Sequence, residues 1–425
     1  MSQYKKRVDW LSNTNIYEVN IRQYTDEGSF NSFAKHLPRL KEMGVHVLWM
    51  MPITPIAFEK RKGTMGSQYA CADYTSINPE FGTLDDFKSM VETAHEMGFK
   101  VIIDWVANHT GWGHTWTISN PDFYKRNEDG SFKTASGMDD IIELNYENVS
   151  LRKAMIAAMQ FWIDETNIDG FRCDLAAWVT VDFWKEARVA LEKNKALFWL
   201  GEFDELDQPE YGQVFDASYS WAWMHLTKDF ADGKKSLNDL WDLLKRYNSL
   251  GDDSMRAWFT SNHDENSWNG TEYEKYGSLA LPLAVFSATW NGVPLIYNGQ
   301  ELPLLKRLQF FDKDAIQWSQ YCVLQNFYQL LNDLKKNNKA LRASDTAVST
   351  YIIETNEPEK LICFSRKYME DEVFVLLNFS ADDIQVELKL DKLESQYTDL
   401  FSGNSSSLNS RTFLKAYEYR LWYKK

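Results

Sequence analysis

From Ile16 to Leu341, short runs of β-branched and aromatic residues alternate with longer segments of helical period. That alternation restricts the fold more than any other feature. Ile16–Arg22, Val45–Ile53, Lys100–Ala107, Gly170–Ala176, Phe198–Glu202, Phe215–Ser220, Arg256–Asn262 and Val293–Tyr297 read as strands. Helical patterns separate most of them: Ser29–Gly44, Thr83–Gly98, Val149–Thr166, Val181–Asn194, Ser236–Ser249 and Glu272–Trp290, with Trp318–Leu341 after the last strand. Ser29 and Thr83 supply N-caps, and Gly44 and Gly98 supply stops, while Pro38 predicts a kink in the first helix. Eight strands with intervening helices close a (β/α)8 barrel. An open doubly wound sheet uses the same alternation but normally fewer strands.

Two segments depart from the rhythm. Thr110–Tyr146, directly after the third strand, is rich in Gly, Asn, Asp and Trp and has no helical period, so it reads as a short insertion over the barrel mouth. From about Ser344 the pattern becomes short alternating strands, among them Ser349–Glu354, Leu361–Arg366, Glu372–Phe379 and Ile384–Leu390. The expected organisation is a catalytic barrel over residues 1–343, with its insertion at 110–146, and an all-β antiparallel sandwich over 344–425.

A net charge of -15 argues against nucleic acid or an anionic membrane as partner and suits a neutral substrate. Cys71, Cys173, Cys322 and Cys363 are widely spaced, which is neither a disulfide framework nor a zinc pattern. No apolar stretch follows the basic residues near Met1, and no run has transmembrane length, so a cytoplasmic location is expected. Oligomeric state is not readable from these features.

Active sites of such barrels lie at the C-terminal ends of the strands. There the third strand ends in D-W-V-A-N-H (Asp104–His109), and the fourth holds Arg172 and Asp174. The fifth ends at Glu202, and the seventh ends in S-N-H-D (Ser261–Asp264). Side chains alternate across a strand, so Arg172 and Asp174 share the face that points into the mouth, and Cys173 points out to the helix layer. One reading is an ion pair that closes the barrel; the other is a carboxylate kept ionised and oriented by the guanidinium, as a nucleophile requires.

Retaining glycoside hydrolysis needs two carboxyl groups about 5–5.5 Å apart, one attacking as an anion and one donating a proton. Asp174 and Glu202 lie on adjacent strands and fit that need, and Asp264 adds a third acid, whose charge favours a protonated Glu202. Clustered His ligands for a metal-dependent barrel hydrolase are missing, since only His109, His114 and His263 reach toward the mouth.

Taken in order on strands three, four, five and seven, D-W-V-A-N-H, G-F-R-C-D, G-E and S-N-H-D resemble the four signature regions of the α-amylase family, glycoside hydrolase family 13. The resemblance spans barrel, insertion and C-terminal domain. It implies Asp174 as nucleophile, Glu202 as general acid/base and Asp264 as transition-state stabiliser. Arg172 and Asp104 would orient Asp174, His109 and His263 would bind the reacting sugar, and Tyr69 would stack beneath it. The chain departs from many members at Ala177 and Trp178, where a Lys-His pair is usual, and Trp178 is the expected replacement. I-E-L-N (Ile142–Asn145) matches neither Q-P-D-L-N of the oligo-1,6-glucosidase group nor M-P-K-L-N of the neopullulanase group. Asn108 stands where the family often has a calcium ligand, with Glu143 as a second candidate; the alternative is that Asn108 only ties down its loop.

The expected activity is therefore retaining hydrolysis of α-1,4-glucosidic bonds in starch-type glucans or maltooligosaccharides. An α-glucosidase or disaccharide-converting enzyme of the same family is the nearest alternative, and a catalytically silent glycan-binding protein a remoter one. Trp112–Trp116, Trp178 and Trp268 favour a chain of sugars, as stacking platforms.

Overall fold

A computed structural model describes residue 4 and residues 6–251, 254–389 and 396–424; Leu390, the end of one expected strand, lies outside them. Eight parallel strands close into a barrel: β1 (Ile16–Val19), β2 (Val47–Met50), β3 (Lys100–Trp105), β4 (Gly170–Cys173), β5 (Phe198–Asp204), β6 (Ala217–Tyr219), β7 (Met255–Trp258) and β8 (Val293–Tyr297). Each pairs with its sequence neighbour, and β1 joins β8 with Ile16 beside Leu295.

Parity along the strands separates two apolar layers. Val47, Trp49, Ile102, Leu200, Ala217, Ala257 and Leu295 fill the barrel. Residues of the other parity, Leu48, Met50, Ile103, Phe171, Cys173, Trp199 and Trp258, pack outward under the helices. Both faces are buried, so the strands read as near-continuous apolar runs. A polar side chain on the inner face is then costly unless paired, and it directs attention to the mouth.

Three helices differ from their expected extents. Ser29–Gly44 is two helices, Phe30–Ala34 and Leu37–Glu42, with Pro38 in the first turn of the second, where a missing N–H costs no intrahelical bond. Glu272–Trp290 breaks into Glu272–Tyr276 and Ala280–Thr289 at Gly277, whose φ of 53° an L residue adopts reluctantly. The final helix is Gln325–Asn337, and the chain before it serves the barrel rim instead.

The insertion forms a three-stranded antiparallel sheet from His109–Gly111, Thr134–Ala135 and Met138–Glu143. The C-terminal region forms a six-stranded sheet with a two-stranded companion, enclosing Leu361, Cys363, Phe374, Leu376, Val386 and Leu414. The other face of the larger sheet presses Ile362, Phe364 and Val375 onto the barrel's outer layer, with Phe364 edge-on to Trp290. Arg366 fastens the contact by donating to the Arg342 carbonyl at 2.8 Å. Among the described residues no helix is long and apolar enough to cross a membrane.

Candidate active site

Arg172 is the hub of the mouth. The β3–β4 register sets it directly beside Asp104, and Asp174 follows two residues later on the same face. The buried guanidinium donates from Nη1 to Asp104 Oδ1 (2.9 Å) and Asp174 Oδ1 (2.9 Å), and its Nη2 pairs with Glu202 Oε2 (2.8 Å). Tyr69 Oη (3.0 Å) and Trp49 Nε1 (3.2 Å) also donate to Asp104 Oδ2. Beyond Asp174 the chain turns sharply, with Leu175 in the left-handed region at φ 41°. The Leu175 N–H thereby reaches Glu202 Oε2 at 2.9 Å.

Glu202 lies where the β5–β6 register shifts, between Gly201 and Asp204. Such a bulge re-aims a side chain, and here it brings Glu202 over the hub. Burial, then the Glu202 charge, hold the Asp174 carboxyl well above the usual carboxylate range. Burial also pushes Glu202 up, but the Arg172 guanidinium and the Leu175 N–H outweigh it and leave Glu202 below its ordinary value. Clustering was expected to keep the proton on Glu202. The geometry reverses that expectation, because Arg172 Nη2 and a backbone donor both stabilise the Glu202 anion.

The β7 exit supplies His263 and Asp264 in a turn that runs into a π-helical segment, Glu265–Asn269. His263 Nδ1 meets Glu18 Oε1 at 2.5 Å, and its Nε2 faces Tyr69 Oη (2.8 Å) and Asp264 Oδ2 (3.4 Å). Burial alone would lower His263, but Asp264 and Glu18 raise it to about 9, so it is an imidazolium at neutral pH. Burial drives His109 down to about 4, and this neutral ring lines the cleft with its buried Nε2 unpartnered among the described residues.

These groups surround a cleft of about 450 Å³, lined by Tyr69, His109, Asp174, Glu202, His263 and Asp264. Half-exposed Trp178 and Trp268 stand at its edges. Trp112 and Trp116 are not free platforms. Lys60 covers the Trp112 ring at 3.3 Å, and Trp116 packs among Tyr74, His114 and Phe123. His114 is buried below the mouth, where its Nδ1 caps a helix by accepting the Trp116 N–H. Glu18, Phe310 and Phe311 were not anticipated. Glu18 was findable, as an acid on the inner face of β1; the Phe pair sits in an aperiodic loop that carries no such signal.

A family model of the α-amylase catalytic domain matches residues 12–134 and 122–351, and one of the α-amylase C-terminal all-β domain matches 351–416. The chain belongs to the α-amylase family. Its relatives include Alpha-amylase 2 of Dictyoglomus thermophilum, 26% identical over 420 residues, with 91% of this chain and 69% of that protein aligned. Alpha-amylase MalA of Haloarcula japonica is 25% identical, with 93% of this chain and 59% of that protein aligned, so the chain spans well short of the full length of these curated relatives. Among solved structures, the maltogenic α-amylase AmyB of Thermotoga neapolitana superposes with a TM-score of 0.86 at 30% identity, covering 97% of this chain and 98% of that one. Like the relatives, this α-amylase-family member is a glycoside hydrolase.

Calcium is common at the insertion in this family, and the residues here do not fit it. Glu143 already pairs with Lys125 and, at 3.6 Å, with Lys133. The Asn108 side-chain Nδ2 lies against His109 Nδ1 at 3.3 Å, and the Asn108 backbone carbonyl accepts the Leu144 N–H at 3.0 Å. Calcium takes six to eight oxygens, and the one carboxylate offered here, Glu143, is already held by two ammonium groups. At the position of the usual Lys-His pair, Ala177 and Trp178 belong to a 3-10 turn that presents the indole to the cleft.

Proposed function

We propose that the protein hydrolyses α-1,4-glucosidic bonds of maltooligosaccharides by double displacement, with retention at the anomeric carbon. The observation that carries this reading is one guanidinium holding Asp104, Asp174 and Glu202 together at the head of a sugar-sized cleft. One guanidinium holds Asp174 Oδ1 at 2.9 Å and Glu202 Oε2 at 2.8 Å, an arrangement that suits the close carboxyl pair of a retaining mechanism.

Asp174 Oδ attacks the anomeric carbon as the glycosidic C–O bond breaks, and the leaving oxygen takes a proton from Glu202. Glu202 then removes a proton from water, whose oxygen attacks the same carbon and releases Asp174. For the first step the proton must reside on Glu202 and Asp174 must be the anion, an arrangement that a glycosidic oxygen seated beside Glu202 favours. Asp264, next to the His263 imidazolium, faces the developing positive charge of the ring, and the free Nε2 of His109 suits a sugar hydroxyl. Tyr69 is the apolar floor, held parallel to His263 at 5.2 Å between ring centroids.

The test is hydrolysis of maltoheptaose followed by NMR of the nascent products. Initial release of the α-anomer is expected. Initial β-anomer would overturn the mechanism, and no turnover of any maltooligosaccharide would overturn the substrate class.

A further inference from the structure

On one flank of the mouth, loops that follow neighbouring strands are joined edge to edge. In the turn after β7, Asn266 accepts the Leu308 N–H (2.8 Å) and donates to the Lys306 carbonyl (3.1 Å), fastening it to the loop after β8. Gln23, just past β1, holds that same loop three times: its Nε2 donates to the Gln309 and Asp312 carbonyls, both at 2.7 Å, and its Oε1 accepts the Asp314 N–H at 2.5 Å. From the loop after β2, the Thr64 N–H (2.7 Å) and Oγ1 (2.5 Å) donate to Asp312 Oδ1, and the Met65 N–H donates to the Phe311 carbonyl (3.0 Å). At Gly63, φ is 61° and an added Cβ would lie 2.6 Å from Phe311 Cβ, so only glycine lets these two loops meet. The seam ends at Lys62, whose ammonium pairs with Asp140 (2.8 Å) and Asp139 (3.1 Å) of the insertion.

The side that carries Trp178 is built differently. Trp178, after β4, borders both the cleft and a second groove of about 460 Å³ lined by Asn127, Lys133, Thr134 and Ser136. The hydroxyls of Thr134 and Ser136 suit sugar hydroxyls, and the exposed indole between the two spaces suits a sugar face.

Resting on the function proposed above, we infer that the seamed flank is a wall on the glycone side and that the leaving chain runs out past Trp178, so that the protein cuts α-glucans near their non-reducing ends. Glu202 on β5 protonates the leaving oxygen and shares the Trp178 flank through the Leu175 N–H, which assigns that side to the leaving group. The reacting sugar lies over Tyr69, and beyond it stand Phe310, Phe311 and the Lys62 seam.

The experiment compares 4-nitrophenyl maltoheptaoside with the same compound capped by a 4,6-O-ethylidene group on its non-reducing glucose, products being separated by chromatography. The uncapped substrate is expected to turn over at least 50-fold faster. In Lys62→Ala, which opens the seam at a half-exposed residue, that ratio should fall at least fivefold through faster cleavage of the capped form. Equal turnover of the two substrates by the unaltered protein overturns the wall while leaving the proposed function standing. Failure to cleave either substrate, or maltoheptaose itself, strikes the function instead.

Discussion

Two buried arginines in this barrel are built from the same parts and differ in what surrounds them. Arg172 holds Asp104, Asp174 and Glu202 at the mouth. Arg188, on the helix Val181–Leu191, holds Asp216 (3.0 Å) and Glu192 (3.2 Å) beneath the opposite face of the sheet. At Arg188 the carboxylates are also served from the chain: Trp199 N–H donates to Asp216 Oδ2 at 3.0 Å, and Leu197 N–H and Trp199 Nε1 donate to Glu192. One cation there answers two anions with further fixed donors. At Arg172 one cation answers three anions, two of which open onto the cleft, and burial with the Glu202 charge holds the Asp174 carboxyl well above the usual carboxylate range. A buried ion cluster becomes reactive when its charge is left incompletely compensated beside a place for substrate.

Substitution at each hub should separate the two roles. Asp174→Asn is expected to lower kcat on maltoheptaose by at least about 10⁴-fold, since an amide cannot form the covalent intermediate, with oligosaccharide binding still measurable by calorimetry. More than a hundredth of normal activity in a preparation free of contaminating amylase would dissolve the distinction drawn here. Arg188→Met should do the reverse. Removing the cation strands Asp216 and Glu192, so a loss of roughly 3–5 kcal/mol in urea unfolding is expected, with kcat per folded molecule unchanged.

Much of this was legible in the sequence, for a physical reason. Barrel strands are buried on both faces, so a charged residue among apolar neighbours stands out, and parity assigns it to the inner or outer layer. Arg172, Asp174 and Cys173 were readable that way, and Glu18 was equally readable by the same rule. Pro38 marked a helix break correctly in position, though it begins a second helix and does not merely kink the first. The opposite shifts of Asp174 and Glu202 were not legible, because they depend on which guanidinium nitrogen and backbone donor each acid meets. The rim was not legible either. Lys62, Gln23, Asn266 and Asp312 are far apart in sequence and lie in loops without period, so only folding brings them together.

A smaller effect sharpens the account of the mouth. Asp264 and Glu18 lift His263 to about 9 against burial, from an ordinary value near 6.5. A raised folded-state value means that this stabilisation is fully present below pH 6.5, declines between 6.5 and 9, and is absent above 9. Glu18→Gln removes one of the two anions. NMR titration of His263 should then show its pKa lowered by about one unit or more, and the fall in thermal midpoint between pH 6.5 and 9 should become shallower. An unchanged His263 titration would mean that Asp264 alone sets it.

The smallest expected effect concerns the insertion. Glu143 carries its neutralising charge on Lys125 and Lys133, at the strand that pairs with the His109 segment. A protein whose cations are covalent has nothing there for a chelator to remove. EDTA should therefore move the thermal midpoint by less than about 1 °C, whereas a site that bound calcium in excess of its dissociation constant would lose stability by mass action. A midpoint that falls by several degrees in EDTA would show that the two lysines do not do a metal's work.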